Sequence, residues 1–117
     1  MPMPTNRSHR HPGAPVSPPR WSVYILETND GRYYTGVATD PQARFRAHEA
    51  GRGSRAVRMA GGPRRLLWQH GGLERGEALR LERAIKGLRR PAKERLMAEG
   101  LAAVGLGEAG ASAGDSG

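Results

Sequence analysis

The sequence predicts a small α+β domain, a three-stranded antiparallel-dominated sheet flanked by helices in the order ββα, loop, β, αα. Three observations carry this. Two runs of aromatic, β-branched and aliphatic residues, Trp21 to Leu26 and Arg32 to Val37, flank Asn29-Asp30-Gly31, and such a turn between strand-like runs is a strong hairpin signal. A third apolar run, "RRLLWQH" from Arg64 to His70, follows Pro63 and reads as a strand. Ala78, Leu81, Ile85 and Leu88 then recur at the spacing of one helix face, as an amphipathic helix on a sheet requires.

Each element has local support. Thr39-Asp40-Pro41 offers a helix cap with proline at the first helical position, and the residues after it can stay helical until Gly51. Arg44 and His48, four residues apart, fall on one face of that helix. The Gly-bounded segment "GRGSRAVRMAGG", Gly51 to Gly62, reads as a basic loop with room for one helical turn around Ala56 to Met59. The long helix is expected from about Gly76 to Arg89, with Glu77, Arg80, Arg83 and Lys86 on its polar face. Pro91 can start a last helix, "PAKERLMAE", that Gly100 ends. With no internal repeat, packing these helices on one sheet is the economical arrangement.

A chain of 117 residues is about one domain with a modest core. Six of its nine prolines lie between Pro2 and Pro19, and six glycines lie between Gly100 and Gly117. Both ends lack the apolar content that offsets chain entropy, so residues 1–20 and 101–117 are expected to be disordered tails and residues 21–100 the folded domain. The domain carries 16 Lys and Arg against 9 Asp and Glu, so the net charge of +8 belongs mainly to it. Such an excess suits a polyanionic partner, because clustered cations displace counterions condensed on phosphates. The competing reading is compositional: Arg outnumbers Lys 17 to 2 in a chain rich in Ala, Gly and Pro.

The absence of cysteine excludes disulfides, thiolate zinc sites and cysteine nucleophiles. No apolar run reaches the roughly 18 residues of a membrane span, and the N-terminus lacks the hydrophobic stretch of a signal peptide. A soluble cytoplasmic protein is expected.

Five short elements then fall in a telling order. "VYI" at Val23 to Ile25 precedes "YTG" at Tyr34 to Gly36; Arg44 and His48 follow Gly36 by eight and twelve residues; Glu82 lies within "LRLERAIK". Together they resemble the GIY-YIG nuclease superfamily, in particular its small single-domain bacterial members, which are similar to the N-terminal nuclease domain of the bacterial excision-repair endonuclease. The resemblance covers about Trp21 to Glu99. Two departures stand out: Ser22-Val23 replaces the glycine-isoleucine of the first motif, and Glu94 occupies the position where many relatives have asparagine.

The resemblance implies hydrolysis of nucleic-acid phosphodiesters with one divalent ion, Mg²⁺ or Mn²⁺. DNA in branched, damaged or single-stranded form is the expected substrate. Catalytic roles are implied for Tyr24, Tyr34, Arg44, His48 and Glu82. Tyr24 would bind the attacking water or act as its base, although a phenol of pKa about 10 needs nearby positive charge for that. Tyr34 would orient water or phosphate, with Tyr33 facing the other side of the strand. Gly36 would allow close approach of backbone or substrate. Arg44 would clamp phosphate oxygens, and His48 would take a proton from Tyr24 or water. Glu82 would hold the metal together with waters and substrate oxygens; the structural alternative is an ion pair with Lys86 one turn later.

Weaker candidates surround these five. Arg52, Arg55 and Arg58 in the basic loop would track the phosphate backbone, setting affinity rather than sequence choice. His9 and His11 would lack a scaffold for metal, and Trp68 is expected in the core. The functional expectation is a metal-dependent endonuclease working in DNA repair or processing. The alternative is a non-catalytic basic module that binds nucleic acid through a decayed site. Incubation of the protein with mixed nucleic-acid structures, with and without metal, separates them.

Overall fold

A computed structural model describes residues 18–107. The chain runs β1 (Trp21–Thr28), β2 (Tyr33–Ala38), α1 (Pro41–Glu49), α2 (Arg55–Met59), β3 (Pro63–Leu73), α3 (Arg75–Lys86), α4 (Arg90–Glu99) and a 3₁₀ turn over Leu101–Val104. The three strands form one antiparallel sheet in the order β2-β1-β3, with β1 central. This is the α+β arrangement that the residue pattern predicts.

The hairpin closes where expected: the Gly31 amide donates to the Thr28 carbonyl and the Thr28 amide to that of Arg32. Because successive strand side chains point to opposite faces, β1 supplies two cores. Val23 and Ile25 pack with Leu73, Ala78, Ile85 and Leu96 on the side of α3 and α4. Tyr24 and Leu26 pack with Ala38 and Val57, and with the partly buried Tyr34, Phe45 and Leu66, on the side of α1 and α2. One residue of register thus decides that Tyr24 faces α1. Trp68 is partly buried against the first core.

Several boundaries differ from expectation. β3 continues beyond His70 to Leu73, which pairs with Trp21 and enters the core. Helix α3 starts at Arg75, because Glu74 and Glu77 form a reciprocal capping box, and it ends before Gly87; Leu88 still packs on the core from outside the helix. Helix α4 begins one residue before Pro91. Leu101–Val104, expected in the tail, instead forms the 3₁₀ turn, since Leu101, Val104 and Leu106 find apolar contacts on the first core. His9 and His11 lie outside the described residues.

Candidate active site

Tyr24 is almost wholly buried, at 1% exposure. It pairs across the hairpin with Gly36, and its ring lies over that glycine: a Cβ built there would come 2.5 Å from the Tyr24 hydroxyl. Gly36 therefore lets the ring lean across β2 and carry its hydroxyl toward the outer edge of the sheet. Tyr34 packs on the same face, its ring centroid 6.3 Å from that of Tyr24 and 5.6 Å from that of His48.

His48 comes from α1, whose start is fixed by Asp40: its Oδ1 accepts the Ala43 amide at 3.2 Å, and Pro41 follows it. The imidazole is 3% exposed, so it is not a surface histidine. Its Nε2 lies 3.1 Å from the Tyr24 hydroxyl, and its Nδ1 lies 3.2 Å from the Ser54 amide nitrogen. An amide N–H can only donate, so Nδ1 accepts and the proton of the neutral ring sits on Nε2. His48 therefore donates to the Tyr24 oxygen. This reverses the expectation that His48 takes a proton from Tyr24. Gly53 completes the fit, since any Cβ there would collide with Nδ1. Burial, and secondarily the positive Arg44, hold the His48 pKa below its ordinary value.

Burial pushes the Tyr24 phenol up to about 12, Tyr34 adds to the rise, Arg44 pulls it down, and Glu82 pushes it up again. Groups from β2, α1 and α3 thus act on one buried hydroxyl. Glu82 acts on it only through its charge, the weakest of these influences, from α3, which packs against β1 and β2 on the other face of the sheet. Tyr24, Tyr34 and His48 gather on one face of the sheet and form the rim of the candidate site, with Arg44 on the same helix as His48, whereas Glu82 stands on the helix that covers the opposite face. Glu82 also makes the alternative contact: its carboxylate is 3.3 Å from Lys86 Nζ, with the lysine side chain 54% exposed and the carboxylate side chain 18% exposed.

Arg52, Arg55 and Arg58 are exposed on the loop and on α2. The Ser54 hydroxyl caps this helix by accepting the Ala56 amide at 3.0 Å, while the Ser54 N–H holds His48. One residue thus ties the basic segment to the buried imidazole, a link that no sequence spacing announces. Among the described residues, neither these three arginines nor Arg44 pairs with a carboxylate. Their charge is free for phosphate.

Glu94 does not join the rim. It accepts from the Tyr33 hydroxyl at 2.9 Å and from Arg90 Nε at 3.2 Å, while the Arg90 guanidinium lies 3.9 Å from the Tyr33 ring centre. Tyr33, the neighbour of Tyr34 on the opposite face, is thereby fastened to α4. Glu94 has a structural partner in place of the substrate-positioning role of an asparagine.

Residues 20–95 match the family model of the GIY-YIG catalytic domain. The chain belongs to the GIY-YIG family. Within it, the chain groups with small bacterial UPF0213 proteins: it is 45% identical over 92 residues to one from Aeromonas hydrophila, a match covering 75% of this chain and 67% of the relative. It is 47% identical over 85 residues to one from Aeromonas salmonicida, covering 71% of this chain and 62% of the relative. The UPF0213 protein YhbQ of Escherichia coli K12 is 39% identical over 80 residues, covering 68% of this chain and 79% of that protein. The chain spans about two thirds of the length of the Aeromonas relatives. The solution structure of the UPF0213 protein BH0048 from Bacillus halodurans is 36% identical, with a TM-score of 0.44, covering 73% of this chain and 90% of that one.

A GIY-YIG catalytic domain points to nuclease chemistry on nucleic acid, commonly with a divalent metal. The donor set here fits a hard cation held mainly by water and substrate. Among the described residues, no three His, Cys, Asp or Glu cluster to form a protein cage, whereas one carboxylate with waters and phosphate oxygens suits Mg²⁺, which dehydrates reluctantly. Glu82 is the residue that would supply that carboxylate; in this structure it is paired with the half-exposed Lys86. No helix among the described residues is long and apolar enough to cross a membrane.

Proposed function

We propose that this GIY-YIG domain is an endonuclease that hydrolyses phosphodiester bonds in DNA, with Mg²⁺ or Mn²⁺ bound at Glu82. One observation carries the reading: a buried phenol oxygen receives a hydrogen bond from His48 and lies within the fields of Arg44 and Glu82. Any buried tyrosine hydroxyl takes a hydrogen-bond partner; what a tyrosine that only packed its ring would not call for is the added positive charge of Arg44 acting on the same oxygen.

In this reading, the Tyr24 oxygen takes the proton of the attacking water. His48 Nε2–H and Arg44 stabilise the phenolate that this requires, because a donor and a positive charge both favour the anionic form. Arg44 also clamps the non-bridging oxygens of the scissile phosphate, where a guanidinium remains charged throughout. Tyr34 orients water or phosphate beside Tyr24. A divalent ion at Glu82 supplies Lewis-acid charge to the phosphate and the leaving oxygen when bound. Arg52, Arg55 and Arg58 hold the flanking backbone without reading bases.

The second reading, a non-catalytic basic module, is favoured by the Glu82 to Lys86 ion pair. Incubating the protein with duplex, single-stranded, flapped and branched DNA and with RNA, in Mg²⁺, Mn²⁺ or EDTA, tests the two. Metal-dependent cleavage supports the nuclease; binding to every form without cleavage in either metal supports the module.

A further inference from the structure

Beside Arg44, the start of β1, the end of β2 and one flank of α1 line an open surface cavity of about 320 Å³. Its walls are mainly apolar, from Trp21, Val37, Ala43 and Ala47, and its two charged residues are Arg44 and Asp40. The volume lies at the small end of the roughly 300–1,000 Å³ usual for small-molecule sites.

We propose that this cavity is a nucleobase subsite, which receives the base of a nucleotide flanking the phosphate held by Arg44. The proposal rests on the nuclease reading for the position of that phosphate. Three features select the occupant. Arg44 lines the cavity and also acts on Tyr24, so a nucleotide whose phosphate it clamps has its base within reach of the cavity. The Asp40 carboxylate makes no ion pair among the described residues; it repels a second phosphate but accepts from the N–H groups of a base edge. Trp21 supplies an aromatic surface, and Arg75 lies 5.6 Å from its ring centre, a cation that steadies the ring. A flat, uncharged, donor-bearing ring fits such walls; the sugar-phosphate backbone does not.

A base stacked and paired inside a duplex cannot enter. The cavity therefore favours substrates with an unpaired nucleotide next to the cleaved bond, such as single strands, flaps and distorted duplexes, and it makes recognition depend on the presence of a base rather than on its identity.

The test uses the full chain in EDTA, so that no cleavage occurs. Replacing Trp68 by Phe leaves Trp21 as the one tryptophan, since the chain has two. A short single-stranded DNA should quench Trp21 emission, while an abasic strand of equal length and phosphate count should not. By anisotropy with the unaltered chain, the DNA should bind about fivefold tighter than the abasic strand or better, as one base stacked on an aromatic ring provides. Ala43→Leu, whose side chain fills the cavity, should lower DNA affinity to the abasic value and leave abasic binding unchanged. Equal binding of both strands, or a base preference that survives Ala43→Leu, overturns the subsite alone. Failure of both strands to bind overturns the nucleic-acid reading with it. If Trp68→Phe does not fold, the anisotropy series decides.

Discussion

The Tyr24 hydroxyl lies 3.1 Å from His48 Nε2 while the Ser54 amide occupies Nδ1 at 3.2 Å, so the histidine presents a proton to the tyrosine and not a lone pair. A donor can be replaced by another donor, whereas a base cannot. His48→Gln places an amide N–H near the Nε2 position and should retain cleavage within about tenfold, whereas His48→Ala should lose about a hundredfold, the usual scale for one transition-state donor. Long-range ¹H–¹⁵N NMR at neutral pH should show the Nε2–H tautomer. An Nδ1–H ring, or equal losses in both variants, would restore His48 as a base.

Gly36 and Tyr24 should act as a unit. A methyl group at residue 36 meets the tyrosine hydroxyl and ring, so Gly36→Ala should displace the phenol and cost about 1–3 kcal/mol of stability, the range for overpacking. Cleavage should fall strongly. Adding Gly36→Ala to Tyr24→Phe should then cost little further activity, because both changes remove the same oxygen; a double-mutant cycle on cleavage rates checks this. Full additivity would mean that Gly36 serves the substrate directly.

Much of the fold and of the site is legible in residue order. The hairpin turn, the capped helix carrying Arg44 and His48, and the apolar stripe of α3 follow from local rules, and strand alternation separates Tyr34 from Tyr33. The Ser54 contact is not legible, because it depends on how a Gly-rich loop folds back onto a buried ring. Nor is the Leu101–Val104 turn: its leucine and valine lie among glycines and alanines, and only the surface they cover reveals their use. Glu94 reads in sequence as the loss of a site residue, and only its bonds to Tyr33 and Arg90 give it another role.

Two pH dependences follow. With the free Tyr24 phenol near pKa 12, the cleavage rate should climb about tenfold per pH unit from neutrality as the reactive phenolate becomes more populated, and Tyr24→Phe should abolish the climb. A plateau near neutral pH in the rate profile would instead point to a base of ordinary histidine pKa. For stability, the folded pKa of His48 is depressed, so the unfolded chain binds its proton first. The stability that this contributes is complete above about pH 6.5, the unperturbed value, and is lost as pH falls through the folded value. Thermal melts between pH 7 and 5 should show a smaller acid loss in His48→Gln than in the unaltered chain.

The basic segment should set affinity alone. Replacing Arg52, Arg55 and Arg58 together by Ala should weaken binding to all DNA sequences alike and flatten the dependence of log affinity on log salt, since fewer counterions are released. Affinity measured over a salt series on several unrelated sequences checks this. A loss confined to one sequence would assign base reading to the loop.

The most direct measurement compares single-turnover cleavage and metal-free binding in Arg44→Ala and Glu82→Gln. Each should cleave at least about a hundredfold more slowly, and both should fold, since neither side chain belongs to the buried stripe of Ala78 and Ile85. Their binding should diverge. Arg44→Ala loses a phosphate clamp and should bind more weakly, whereas Glu82→Gln removes a negative charge facing a polyanion and should bind as well or better. If Glu82→Gln keeps full metal-dependent cleavage, the ion pair with Lys86 is the whole role of that carboxylate and the proposed metal site is wrong.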